Sequence, residues 1–256
     1  MTIETERESW ERIRELAEAG DRDGLDTAIG SMEAGDAVRS ILRLDPEAQQ
    51  SVLTTLSPPE AADLIEDTPD EQAADLIEQL SPTEAASIVA EMQSDEQADL
   101  ISDLGTSEAD AILGELEPDV ASGVRALADY EDDVAGGLMI TEIVEVGEGT
   151  TIGDTLDQLV VNAEDSDDHF SRYVYILSSR GRLVGFAAAS ELAATARARP
   201  GSDVLVPALV TRPLTGLDVR RAFCEAPPSA ARPGVARRGT LLGVTRRTAV
   251  REALAD

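Results

Sequence analysis

Between Asp45 and Leu127 the chain alternates short polar caps with bursts of apolar residues at helical spacing. The caps are Asp45-Pro46-Glu47, Ser57-Pro58-Pro59-Glu60, Thr68-Pro69-Asp70-Glu71, Ser81-Pro82-Thr83-Glu84, Ser94-Asp95-Glu96, Thr106-Ser107-Glu108 and Glu117-Pro118-Asp119, whose starts lie 11 to 13 residues apart. Each reads as a helix N-terminus: an oxygen-bearing cap, often a proline where a missing N–H does no harm, then an acid in the first turn. Ser57 with Glu60 and Ser81 with Glu84 fit capping boxes. The apolar bursts are Ala61, Ala62, Leu64, Ile65; Ala73, Ala74, Leu76, Ile77, Leu80; and Ala85, Ala86, Ile88, Val89, Met92, giving each helix one apolar and one acidic face. Helices of two or three turns are not stable alone, so the pattern predicts a stacked superhelix. An earlier helix pair, Trp10 to Ala19 and Leu25 to Met32, is expected to cap its start.

The pattern changes at Ala135-Gly136-Gly137, where the double glycine is expected to let the backbone bend between domains. A strand to Val146 is predicted next, then a helix Ile152–Val161, strands Tyr173–Leu177 and Leu183–Ala188 about the turn Ser179-Arg180-Gly181, and a helix Ser190–Ala198. A fainter copy follows: a strand Leu205–Val210, a helix Leu217–Glu225, strands Gly234–Ala236 and Leu241–Thr245 about Arg237-Arg238-Gly239, and a helix Ala249–Leu254. The fold class is therefore multidomain, all-α followed by two related α+β units, with divisions at 1–130, 131–198 and 199–256.

Charge narrows the partners. Asp and Glu number 51 against 21 basic residues, all arginine, for a formal charge of −30. Such a chain repels polyanions, which disfavours nucleic acid, and the lysine-free balance resembles a halophilic cytoplasm rich in salt, where excess acid serves surface solvation. The single cysteine, Cys224, rules out an internal disulfide and a cysteine zinc cage. Residues 1–10 are charged throughout and do not read as a signal peptide. The longest apolar stretch, 183–194, carries Ser190 and Glu191 and falls short of the roughly 20 residues a membrane crossing needs. No nucleophile has a base beside it and no phosphate loop is present, so no enzyme is expected. His169, beside the acidic run Asp165 to Asp168, reads as a solvated loop residue.

Gly181-Arg182-Leu183-Val184-Gly185 and Gly239-Thr240-Leu241-Leu242-Gly243 resemble the final hairpin of CBS domains, which pair in tandem. Ahead of them, residues 130–139 (Tyr-Glu-Asp-Asp-Val-Ala-Gly-Gly-Leu-Met) resemble the junction of MgtE-type magnesium channels, where an acidic domain of helical repeats passes into a CBS pair. The resemblance implies an all-α superhelix and a tandem CBS pair, forming a homodimer through the CBS domains on the cytoplasmic side of the membrane. It also implies a Mg²⁺ sensor in which ions bridge acidic faces. The chain is expected to stop where the connecting helix and pore would begin, so it would sense without conducting, with a separate transmembrane channel subunit as partner.

Mg²⁺ is a hard ion that keeps several waters and needs one or two carboxylates from each surface. The family's late Asp pair, spaced by four, matches Asp95 and Asp99, which that spacing puts on one side of a helix. Asp95 also has a plain role in the first turn, facing the helix dipole. Asp132 and Asp133 in the junction, and Glu252 at a matching position in the second CBS domain, complete the implied metal residues. Where the family carries Val-Asp-Asp after its last strand, this chain has Arg247-Thr248-Ala249. Residues 197–256 hold 11 arginines against five acids, a net of +6, leaving −36 for residues 1–196. Arg237, Arg238, Arg246 and Arg247 are therefore expected either to face the acidic helices in place of metal or to occupy a solvated or partner-binding face. The alternatives to magnesium sensing are a metal-independent interaction scaffold and an adenosine-nucleotide sensor. The ribose-binding Asp positions of CBS domains read Glu191 and Ala249 here, which disfavours the latter.

Overall fold

A computed structural model describes residues 3–130, 134–165, 173–206, 213, 231–236, 238–246 and 249–250. The chain divides into two compact units, 1–128 and 129–256.

The first unit is ten helices. After α1 (Ile3–Ala19) come the helices α2 (Arg22–Gly30), α3 (Ala34–Ile41), α4 (Pro46–Thr55), α5 (Pro58–Glu66), α6 (Asp70–Ile77), α7 (Pro82–Val89), α8 (Ser94–Asp103), α9 (Thr106–Glu115) and α10 (Pro118–Ala128), and from α2 on their starts are spaced twelve residues apart. The repeat is thus stricter than the caps suggested, and it reaches back two units, to α2. Counting the first helical residue as position 1, burial falls at positions 4, 5, 7, 8 and 11. In α7 these are Ala85, Ala86, Ile88, Val89 and Met92; in α5 they are Ala61, Ala62, Leu64, Ile65 and Thr68. Small residues at 4 and 5 let neighbouring helices approach, and the branched pair at 7 and 8 fills the core they share. From α5 onward each helix packs on the second one along, α5 on α7, α6 on α8, α7 on α9 and α8 on α10, while α2 touches both α4 and α5 and α1 lies against α2, α3 and α4 and closes the start of the stack.

Three helices begin one residue off the expected cap. The observed N-caps are Pro69, Gln93 and Gly105 rather than Thr68, Ser94 and Thr106. None of the three makes a side-chain cap bond, so the packing phase of the apolar positions decides where the helix starts. The box at Ser81 and Glu84 is present, with Ser81 N–H on Glu84 Oε2 at 2.9 Å and Glu84 N–H on Ser81 Oγ at 3.4 Å. The box expected at Ser57 and Glu60 is not: the Ser57 N–H donates instead to Asp26 Oδ1 on α2, at 3.1 Å.

Glutamine at position 4 adds a second device. Gln97 donates its amide to Val89 O (2.7 Å) and Met92 O (2.8 Å), and Gln49 reaches Ile41 O (3.3 Å), each spanning back to position 8 of the preceding helix. Both side chains are buried and satisfy carbonyls that a helix end leaves open.

In the second unit, one predicted strand is two: β1 (Met139–Ile140) and β2 (Val144–Gly147). They join different sheets. With α11 (Ile152–Asp165), β3 (Tyr173–Leu177), β4 (Leu183–Ala188), α12 (Ala189–Ala193), β5 (Ala231–Val235) and β6 (Leu241–Arg246), they give sheets ordered β2-β3-β4 and β1-β6-β5. Met139 and Ile140 pair with Thr245 and Val244 of the second hairpin, and Val206, on the way into the second half, bridges Phe186 of the first. Each half thus lends a piece of its entering chain to the other's hairpin. Gly185 and Gly243 permit this: a Cβ at Gly185 would meet Leu205 and Val206 O, and one at Gly243 would lie 2.7 Å from Ile140 O. Gly181 and Gly239, at φ +67° and +82°, make the matching turns.

One face of β2-β3-β4 packs Val144, Val146, Val174 and Ile176 with Ile152, Leu159 and Leu192 of the helices. Tyr175 shares a core with Ile140, Leu241 and Val244 of the other sheet. The double glycine has a local reason at Gly136, where a Cβ would strike the Tyr130 ring. Helix α12 is shorter than the expected Ser190–Ala198. The chain beyond it turns to the start of α11, placing the carbonyls of Arg197 and Arg199 on the N–H groups of Gly153 and Ile152, both at 2.8 Å. Strand β5 is longer than expected and takes in Pro233, which an edge strand tolerates. The predicted helix 217–225 lies outside the described residues.

Candidate functional site

The carboxylates singled out by spacing sit on α8. Its N-cap, Gln93, donates its backbone N–H to Glu66 Oε1 at 2.8 Å, and Gln97 ties the first turn to the end of α7. Asp95 and Asp99 stand one turn apart, but not equally open. Asp95 is 4% exposed, the one carboxylate among the buried residues described, while Asp99 is half-buried. Position 2 is otherwise occupied at the surface, by Glu47, Glu71 and Asp119, so α8 departs from its repeat at the residue the spacing selected.

Asp132, Asp133, Arg237, Arg247 and Glu252 lie outside the described residues, as do His169 and Cys224. Arg238 is exposed at the turn of the second hairpin, and Arg246 ends β6, half-buried. Among the described residues no group of three or more His, Cys, Asp or Glu side chains could hold a metal ion. The described carboxylates therefore do not form a chelating cage. What they offer a divalent cation is the other mode open to Mg²⁺, an ion keeping its waters and touching one or two carboxylates of an acidic surface.

One acidic group was not legible in the sequence. Glu60 on α5 has its carboxyl pushed up by burial, then by Asp63 beside it and Asp26 on α2. Asp26 and Glu60 are far apart in the chain, and only the stacking of α2 on α5 brings them together. In the second unit a cleft of about 570 Å³ is lined by Thr141, Ile143, Val144, Glu145 and Gln158. Partial burial raises the Glu145 carboxyl there. Glu191, the residue at a ribose-binding position, is exposed in the first turn of α12.

The sequence profile of the MgtE intracellular N domain matches residues 32–133. The magnesium transporter MgtE of Thermus thermophilus is 43% identical over 68 residues, a stretch covering 27% of this chain and 15% of that transporter. Two solved structures share nearly the whole fold. The soluble part of a magnesium transporter superposes with a TM-score of 0.83 at 22% identity, covering 98% of each chain. The cytosolic domain of the Mg²⁺ channel MgtE in complex with ATP gives 0.82 at 25% identity, covering 95% of this chain and 99% of that one. A cystathionine beta-synthase pair domain from Shewanella oneidensis MR-1 matches at 0.50 and 12% identity, covering 65% of this chain and 96% of that one, which agrees with a tandem CBS pair. These names describe domains of transporters rather than an enzyme family. No helix among the described residues is long and apolar enough to cross a membrane.

Proposed function

From an MgtE intracellular N domain at residues 32–133 and the fold of a magnesium transporter's soluble part, we propose that this chain is a Mg²⁺-responsive regulatory module of magnesium transport, working at the cytosolic face. The observation that carries the reading is the acid-rich helical unit on that fold. Crowded carboxylates repel, and hydrated Mg²⁺ condensing on them relieves the repulsion and draws acidic surfaces together. Asp99, Asp132, Asp133 and Glu252 supply carboxylates for this, with Asp95 buried one turn away from Asp99. Arg237, Arg238, Arg246 and Arg247 are fixed cations that lower the Mg²⁺ needed. The module acts as a homodimer through its CBS domains, following the division 1–130, 131–198 and 199–256, and its target is a transmembrane magnesium channel.

Small-angle scattering tests this, titrating Mg²⁺ at constant ionic strength. A radius of gyration that falls with Mg²⁺, but not with matched NaCl, supports a sensor. A profile indifferent to Mg²⁺ refutes it and leaves a metal-independent scaffold. A second reading rests on the cleft in the second unit and on the relative solved with ATP: an adenosine nucleotide sensed by the CBS pair. Glu145 in the wall suits a ribose hydroxyl better than a phosphate, because a carboxylate accepts hydrogen bonds and repels anions. Calorimetry with ATP and with adenosine separates the two, and no heat with either removes the nucleotide.

A further inference from the structure

The chain that leaves the helical unit is received by the half of the second unit that lies farther along the sequence. Met139 and Ile140 pair with Thr245 and Val244 on β6, and the Gly136 N–H donates to Pro213 O at 2.9 Å. Gly234 and Gly243 make room for this segment: a Cβ at Gly234 would strike the Met139 sulfur, and one at Gly243 would press on Ile140 O. Met139 and Ile140 are 1% and 2% exposed. Among the described residues, no backbone hydrogen bond ties 135–140 to the sheet β2-β3-β4 that follows them in the chain.

The reverse exchange is built differently. Val206 and Phe186 trade both backbone hydrogen bonds, at 2.8 and 3.0 Å, but Val206 is 41% exposed. Matching Gly185 to Gly243, the glycines that admit the entering chain in each hairpin, makes Ala187 of β4 the counterpart of Thr245 of β6. Ala187 has no side-chain donor. Thr245 is buried, and its hydroxyl donates to Ala135 O at 3.2 Å across a separation of 110 residues. Only the copy that receives the chain from the helical unit carries this bond. A buried carbonyl is costly to leave without a donor, so the hydroxyl holds the arriving chain onto the strand beside it.

We propose that this β1–β6 clasp is the joint through which the helical unit acts. Strain on the arriving chain passes into the second hairpin, β5–β6, and bypasses the first sheet, with Thr245 holding the joint closed. A hydrogen-bonded, packed strand pair carries displacement between its members, whereas the first sheet has no such tie to 135–140. The proposal rests on reading the chain as a regulatory module, but not on Mg²⁺ as the signal.

The test is hydrogen exchange of the whole chain, followed by mass spectrometry without Mg²⁺, so a failure of the magnesium reading in scattering leaves this outcome untouched. Gly136→Ala presses a methyl group onto the Tyr130 ring and strains the arriving chain from outside the clasp. Exchange in 241–246 is expected to rise at least about tenfold, while 144–147 and 173–177 stay within about twofold of wild type. Thr245→Val, which keeps the shape and loses the donor, should speed exchange in 135–140 by at least about tenfold, and Thr245→Ser, which keeps the hydroxyl, should hold it near wild type. Gly136→Ala felt in 173–177 as strongly as in 241–246 overturns the proposal. So does a Thr245→Val chain whose 135–140 segment exchanges at the wild-type rate, or a Thr245→Ser chain no better protected than Thr245→Val.

Discussion

Replacing Gln97 by alanine brings two arguments into direct conflict. Alanine is what the repeat puts at this position in α3, α5, α6, α7 and α10, as Ala37, Ala61, Ala73, Ala85 and Ala121, and it is the better helix former. By that reasoning Gln97→Ala is neutral or stabilising. The structure argues otherwise. The Gln97 amide bonds two carbonyls at the end of α7; Val89 O also receives the Met92 N–H at 3.2 Å, but Met92 O takes its bond from Gln97. Leaving a buried carbonyl without its donor costs about 1–3 kcal/mol, and the vacated volume adds to it. We expect a loss of about 2 kcal/mol, which at the usual urea slope of about 1–3 kcal/mol/M moves the midpoint down by about 1 M. Gln49→Ala is the internal comparison: its longer bond goes to Ile41 O, which already takes the Leu44 N–H at 3.0 Å, so it should cost clearly less. The assay is urea unfolding followed by Trp10, the single tryptophan, which packs against the helical core and so reports that unit alone. A Gln97→Ala midpoint equal to or above wild type would refute the reasoning.

Ser81→Ala removes the capping box and should cost about 1 kcal/mol at neutral pH. Because hydrogen bonds from Ser81 hold the Glu84 carboxyl below its ordinary value, the share of the box made by that carboxylate is present above the ordinary carboxylate pKa and lost as pH falls through the lowered one; urea midpoints of variant and wild type should draw closer in acid, leaving the Glu84 N–H bond to Ser81 Oγ as the residual difference. Glu60 has the opposite sign: its raised carboxyl contributes stability below the ordinary pKa that is lost as pH rises through the raised one. Glu60→Gln should therefore match wild type in acid and exceed it by neutral pH in the same titration. Gly243→Ala, pressed against Ile140 O, should destabilise the second unit by about 2 kcal/mol or more, measured by limited proteolysis, while Gly149→Ala, with open space around it, should leave it unchanged.

The helical unit was largely legible because its signal is redundant. Ala61, Ala62, Leu64 and Ile65, chosen by spacing alone, are all buried. Errors arose where one local cue stood in for the whole pattern. Thr68, Ser94 and Thr106 look like caps, yet the helices start one residue later than those caps imply or on them, because the apolar phase outweighs the preference of a hydroxyl for the cap position. Ser57 and Glu60 fit a capping box, yet Asp26, on α2 three helices earlier in sequence, takes the Ser57 N–H. The second unit was legible as hairpins but not as an exchange, since nothing in Met139-Ile140 says which hairpin it will join. Asp95 and Asp99 lie one turn apart on α8, as their spacing implies; that Asp95 is buried depends on tertiary surroundings that spacing does not encode.

Because from α5 onward each short helix rests on the second one along, that part of the unit has two stacks, and chain length is quantised by them. Losing or gaining a single twelve-residue repeat would send every later helix to the opposite stack and turn whatever follows to face the other way. Losing or gaining two at once would keep every partner and change only the height. Natural variation in the length of this unit should therefore come in pairs of helices, and a designer who wished to move what the superhelix carries farther from its start could do so by duplicating α6 and α7 together.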